Sequence, residues 1–239
     1  TITWNLARKG IASLWYSLEV SIENFIQPFI KNDPGASWVD GKLVKVSDEP
    51  IYWPEDYATI DFETLTKVIK YANLKYGVEH VFIDHLSYLL DPRAIEKSRS
   101  VSIHIGDRLR SLRQIAHQTG VSIFLVAHLA KVASDQEPTL DDLRDSSFVA
   151  QEADAIILLT RDRLKEPVKD KTLDGIEYLQ THSPIVKCKV EKSRRTGRHG
   201  MVELLWNQGL YYEPTSEQLE MVKNIYNVKK ETKKPNFAV

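Results

Sequence analysis

Three short, largely apolar runs dominate the chain: IASLWYSL (11–18), VFI (81–83) within a strand over 79–84, and VSIFLVA (121–127) within a strand over 121–128. Each is followed at once by an ionisable residue, Glu19, Asp84 and His128. Runs of this length that are apolar throughout are strands covered on both faces. Helical patterns fill the segments between them, and such alternation predicts an α/β chain with a mostly parallel sheet between helices. A buried carboxylate without a partner costs on the order of several kcal/mol, so an acid at a strand tip needs a reason to be there. Taken singly, Glu19 reads as a helix-start acid, Asp84 as a turn cap and His128 as a strand-end imidazole bonded to backbone. Functional groups of parallel sheets gather at the C-terminal strand ends, however, and three together favour one site.

The other segments follow local rules. Residues 2–9 read as the end of a helix closed by Gly10, and 20–31 as a second helix. Pro34, Pro50 and Pro54 mark the next stretch as mostly loop, with one short strand near 43–46. A helix over 61–76 starts at Asp61, a favoured N-cap, and lines up Leu65, Val68, Ile69 and Ala72. Another over 98–118 sets Val101, Ile105, Leu109, Leu112 and Ala116 three and four residues apart before Gly120 closes it. Residues 146–152 read as a short helix, DAIILLT (154–160) as a fourth buried strand, and 162–182 as a polar, mobile connection. From 184 to 214 the chain alternates on both sides of Thr196-Gly197, the pattern of a β-hairpin.

A net charge of -1 singles out no partner, so any nucleic-acid surface must come from local clustering. Such a cluster exists. Lys187, Lys189, Lys192, Arg194, Arg195 and Arg198 stand against the single acid Glu191, a local charge of +5 at one turn. It reads either as a solvated hairpin rim, as a phosphate contact, or as an arginine presented to a neighbour's nucleotide. The lone Cys188 excludes a disulfide framework and a cysteine-based zinc site, which fits a reducing compartment. No run approaches 18 apolar residues, so no membrane span is expected. A phosphate-cradling G-x-x-x-x-G-K-[ST] occurs nowhere; GASWVDGKL (35–43) has five residues between its glycines and Leu43 where a hydroxyl is needed. In a strand-loop-helix unit that cradle precedes the helix finished by residues 2–9, so it is expected just upstream of Thr1.

With these residues assembled, the chain resembles the motor domain of hexameric replicative DNA helicases: the DnaB-like family, the phage primase-helicases and the mitochondrial helicase Twinkle. The likeness runs from about residue 4 to 213. SLWYSLEVS is similar to the strand ending in the catalytic glutamate, HVFIDHLSYLL to the Walker B strand and LVAHLAK to the sensor motif. DLRDSSFVAQEADAIILLTRDR resembles the DNA-loop motif, and KVEKSRRTGRHG the arginine-finger hairpin. SFVAQEADAIILL and LWYSLEVS look nearer to Twinkle and its phage relatives, and His128 stands where DnaB usually has Gln.

The resemblance implies a RecA-like three-layer fold over 1–214 with a C-terminal β-hairpin, followed by a Lys-rich helix and tail over 215–239. It also implies ATP or dTTP with Mg²⁺ as nucleotide and cofactor. Asp84 would hold Mg²⁺ through water, Glu19 would polarise the attacking water, and His128 would sense the γ-phosphate. Gln151 would lie near the nucleotide, while Lys192 and Arg194 would reach the ATP of the adjacent subunit. Lys131, Arg93, Lys97, Arg99 and Arg144 would face single-stranded DNA in a hexameric ring. Primase and polymerase are further implied partners, with no membrane. The implied place is the cytoplasm of a bacterial or phage-infected cell, or the mitochondrial matrix. Without the phosphate cradle, the chain by itself is expected to bind ATP poorly and not to turn it over.

Two other readings share some of these features. A recombinase or KaiC-like ATPase would have the acids and the sheet without the QEAD and K-x-R pair. A non-catalytic nucleic-acid-binding subunit would use only the basic hairpin, with salt-sensitive binding and no nucleotide dependence.

Overall fold

The computed structural model describes residues 1–21, 24–27, 30, 37–39, 42–45, 49–54, 61–90, 101–129, 138–142, 146–171, 177–207 and 209–231. In chain order its elements are α1 (Ile2–Ala7), β1 (Ser13–Ser17), β2 (Ser37–Val39), β3 (Lys42–Lys45), β4 (Ile51–Tyr52), α2 (Phe62–Tyr76) and β5 (His80–Asp84). A 3₁₀ turn (Leu86–Leu89), α3 (Val101–Thr119), β6 (Ser122–Leu125), a second 3₁₀ turn (Leu140–Asp142) and α4 (Ser146–Glu152) follow. The last elements are β7 (Ala155–Lys171), β8 (Glu177–Ser193), β9 (Gly200–Asn207), β10 (Leu210–Tyr212) and α5 (Ser216–Glu231). They form two compact units, with α1 to α4 in the first and β7 to α5 in the second.

The first unit is built on a four-stranded parallel sheet in the order β4-β1-β5-β6. Successive residues of a strand face opposite sides. On one side Leu14, Tyr16, Val81 and Ile83 pack with Leu65, Ile69 and Ala72 of α2 and with Leu112 and Ile115 of α3. On the other, Trp15, Phe82 and Phe124 sit in register on three adjacent strands and stack, with ring centroids 4.7 and 4.6 Å apart. The Trp15 indole N–H donates to Thr3 Oγ1 of α1 at 2.8 Å, and its ring meets Phe25 of the helical residues 24–27 at 4.5 Å. Helices therefore cover both faces, as the alternating pattern predicts.

Asp61 caps α2 as expected: its carboxylate accepts the Thr64 N–H at 2.8 Å, and that bond first of all holds its carboxyl below the ordinary value. Gly77 ends the helix in the left-handed region (φ 65°), which favours glycine.

In this unit the readings of the proline-marked stretch and of the strand before His128 need correction. The proline-marked stretch is more than loop with one strand: β2 and β3 form an antiparallel pair. β4 is an edge strand of the main sheet, with Ser13 opposite Ile51 and Leu14 opposite Tyr52. Pro50 hid it, yet a proline can flank an edge strand, and its carbonyl accepts the Ser13 N–H at 2.9 Å. β6 stops at Leu125, so His128 lies beyond the strand rather than at its tip. The chain still leaves alongside β5, because the Val126 N–H donates to Ile83 O at 3.0 Å and Val126 O accepts the Leu86 N–H at 3.0 Å.

The second unit is a four-stranded antiparallel sheet in the order β10-β9-β8-β7. Of DAIILLT, residues 155–160 begin β7 and are only half buried: Ile156 and Leu158 are inside, while Ile157 and Leu159 are 50% and 54% exposed. Residues 162–171 and 177–182, read from sequence as a connection, extend β7 and β8 to 17 residues each. A polar alternation suits an antiparallel arm with solvent on one side. Arg161 ties three strands together, since its Nε donates to Ser183 O at 2.8 Å and its guanidinium lies 4.6 Å from the Trp206 ring. The hairpin at Thr196-Gly197 is present, with Val190 opposite Gly200 and Gly197 at φ 62°. Among the described residues no helix is long and apolar enough to cross a membrane.

Gly106 of α3 lets Phe148 of α4 come close: a Cβ there would lie 2.6 Å from the ring. Alanine is the better helix former by about 1 kcal/mol, but overpacking typically costs about 1–3 kcal/mol. Overpacking wins, so Gly106→Ala should lower the melting temperature. In a Phe148→Leu background, which removes the ring, the same change should become neutral or stabilising. Thermal unfolding of the four proteins measures both.

Candidate functional site

β1 and β5 run parallel with Ser17 opposite Asp84, and the Leu18 N–H donates to Asp84 O at 2.9 Å. That pairing sets the bend carrying Glu19 beside the end of β5. The Ser17 hydroxyl donates to Val20 O at 2.7 Å and closes the bend. Glu19 Oε2 lies 3.4 Å from His128 Nε2 and 3.6 Å from His85 Nε2. The two imidazoles meet edge to face at 4.4 Å. Sequence thus predicts that Glu19, Asp84 and His128 converge, and the folded chain places them at one corner of the sheet.

Asp84 is half buried, and burial first, then the Glu19 charge, raises its carboxyl above the ordinary 3.8; His85 and His128 pull the other way. Two carboxylates sharing a partly desolvated corner form a hard oxygen donor set with a surplus of negative charge. Such a set suits Mg²⁺, which takes oxygen ligands and keeps much of its water.

His85 was missed as a member of the site. Alternation along a strand would send it to the side opposite Asp84, but the chain leaves the strand there. His85 caps the following 3₁₀ turn instead, its Nδ1 accepting the Ser87 N–H at 3.2 Å. The signal was present in sequence as a histidine directly after a strand-end acid and before a short hydroxyl-containing turn.

Gln151 is an exposed residue of α4. That helix is held to α3 by Glu152, whose carboxylate lies 3.4 Å from Arg113 and 3.5 Å from Arg110. In the second unit Lys192 stands opposite Ile156 near the end of β8. Arg194 opens the basic turn, its backbone N–H donating to Asp154 O at 2.7 Å and its Nη1 to Asp154 Oδ1 at 3.0 Å. Lys131, Arg93, Lys97, Arg99 and Arg144 lie outside the described residues.

The fold is shared by solved proteins. A DnaB-like replicative helicase, solved for its interactions with primase, matches with a TM-score of 0.66 and 22% identity, over 89% of this chain and 53% of that one. A solved ATPase domain matches with a TM-score of 0.66 and 21% identity, over 89% and 78%. Among curated relatives, a probable plasmid replicative DNA helicase of Chlamydia psittaci is 28% identical over 158 residues, 63% of this chain and 33% of its own length. The replicative DNA helicase DnaB of Rickettsia prowazekii is 23% identical over 168 residues, 65% of this chain and 33% of its own length. The chain thus spans about a third of the length of these relatives. The family model described as DnaB-like helicase C terminal domain matches residues 7–212, which include Glu19, Asp84, His128, Lys192 and Arg194, and the chain belongs to that family.

Proposed function

We propose that this chain is the motor part of an ATP-dependent replicative DNA helicase that moves on single-stranded DNA as a hexameric ring. The observation that carries this reading is the meeting of Glu19 and His128, with Asp84 beside them, where the chain leaves parallel strands in a member of this family. Glu19 accepts the proton of the water that attacks the γ-phosphate of ATP or dTTP. Asp84 holds Mg²⁺ through water; the bound ion supplies charge neutralisation at the phosphates. His128, 3.4 Å from the Glu19 carboxylate, senses the γ-phosphate, and Gln151 lies along the route to the DNA.

Arg194 and Lys192 serve the nucleotide of the adjacent subunit, which accounts for basic residues concentrated at one turn of a chain with net charge -1. Lys131, Arg93, Lys97, Arg99 and Arg144 contact DNA phosphates, so affinity falls steeply with salt. Primase and a polymerase are the proposed partners, and the cytoplasm of a bacterial or phage-infected cell is the proposed place. Family membership does not favour a recombinase or a KaiC-like ATPase.

The test is Mg-dependent ATP hydrolysis by the natural protein containing this chain, with and without single-stranded DNA, beside Glu19→Gln. DNA should stimulate turnover, and the variant should lose about 10²–10⁴-fold of it while still binding nucleotide. DNA binding without turnover would instead favour the non-catalytic subunit.

A further inference from the structure

We propose that His85 is a positioning residue for Glu19: the Ser87 amide fixes its tautomer, and its Nε2–H holds the carboxylate where it accepts a proton. This inference rests on the reading of Glu19 as the base.

A neutral imidazole carries one N–H, and the bond made by one nitrogen decides where it sits. The Ser87 N–H donates to His85 Nδ1 at 3.2 Å, so that nitrogen presents its lone pair and the hydrogen is on Nε2. Nε2 faces Glu19 Oε2 at 3.6 Å. A direct N–H···O bond is about 2.7–3.2 Å long, so a movement well under the width of an atom completes it. The His85 side chain is only 13% exposed and is anchored through the cap of the 3₁₀ turn; His128, which approaches the same oxygen, is 64% exposed. Of the two imidazoles, His85 is the one fixed by the fold.

The same tautomer decides against another use of the cluster. Glu19, His85 and His128 offer one ligand atom each within 4.8 Å of one another, a spacing that suits zinc. A metal on His85 Nε2 needs the lone pair there and the hydrogen on Nδ1, where the Ser87 N–H already points. Metal-bound histidines donate from the other ring nitrogen, whereas this one accepts. The positioning role and the metal site therefore require opposite tautomers.

Imidazole ¹⁵N spectra of the chain, recorded with and without equimolar ZnCl₂, read the tautomer directly. The expected result is Nε2–H on His85, unmoved by zinc; Nδ1–H, or stoichiometric zinc uptake through His85, overturns the proposal. Kinetics of the natural protein give the second readout. His85→Phe keeps a ring and removes the donor, and should lower kcat about tenfold to a hundredfold with KM for ATP unchanged. His85→Gln places an amide N–H near the position of Nε2 and should recover most of the loss. Equal losses in both variants, or kcat unchanged in His85→Phe beside an inactive Glu19→Gln, overturn this inference alone. A Glu19→Gln protein that still turns over overturns the base assignment and this inference with it.

Discussion

On the proposed function, Arg194→Ala should abolish DNA-stimulated turnover of the natural protein, by roughly 10³-fold or more, while leaving the fold intact. An arginine supplied in trans to a transferring phosphoryl group is worth about 10³–10⁵ in kcat. Its structural role is far smaller. The pair with Asp154 spans 3.0 Å between side chains that are 38% and 66% exposed, and such pairs contribute about 0–1 kcal/mol. Arg194→Lys should rescue little, since an ammonium lacks the planar fork of the guanidinium. The decisive form of the experiment mixes two inactive proteins. In a ring of Arg194→Ala and Glu19→Gln subunits, some interfaces join an intact Glu19 to an intact neighbouring Arg194. Activity should return there. If mixing restores nothing, Arg194 acts within its own subunit or not at all.

On the proposed function, Asp84→Asn should make the natural protein more resistant to heat at pH 7 and remove Mg-dependent turnover, by about 10²-fold or more. The two effects have one cause. Burial and the neighbouring Glu19 raise the Asp84 carboxyl above 3.8, so the folded chain binds its proton more readily than the unfolded chain does. Stability tied to this group is therefore fully present below the ordinary value and is lost as pH rises through the folded one. At pH 7 the ionised side chain is a standing cost, which asparagine removes. The advantage of the variant should shrink as pH falls through that window, because wild-type Asp84 is then neutral too. Thermal unfolding of both proteins between pH 3 and 7 measures it. A variant less stable than wild type at pH 7 would show that Asp84 is a structural partner rather than a functional cost.

The first unit was legible wherever one periodicity held over several turns or a whole strand. Leu65, Ile69 and Ala72 in α2, and Leu109 and Leu112 in α3, are buried as their spacing predicts. Legibility failed where pairing rather than local pattern makes the element. Ile51 and Tyr52 form a strand only because β1 offers them an edge, and nothing in a proline-flanked dipeptide announces that. β7 and β8 hold long polar stretches in strand conformation by pairing with each other, through register shifts at Ile156/Ile157 and beyond. At the site, residue identity carried Glu19 and Asp84. The geometry of the strand exit added His85, because side-chain direction changes where a strand gives way to a 3₁₀ turn.

The stacked rings of Trp15, Phe82 and Phe124 constrain how this sequence can drift. Each ring is a neighbour of the next across the sheet, so a small or polar replacement on one strand opens a gap felt on all three. Exchanges among phenylalanine, tyrosine and tryptophan are the tolerated steps. The same strands carry Glu19 and Asp84 a few residues further on, and a slip of one residue in pairing turns every side chain to the opposite face. Lineages of this domain should therefore retain aromatic character at positions 15, 82 and 124, although the proposed function gives these rings no chemical step.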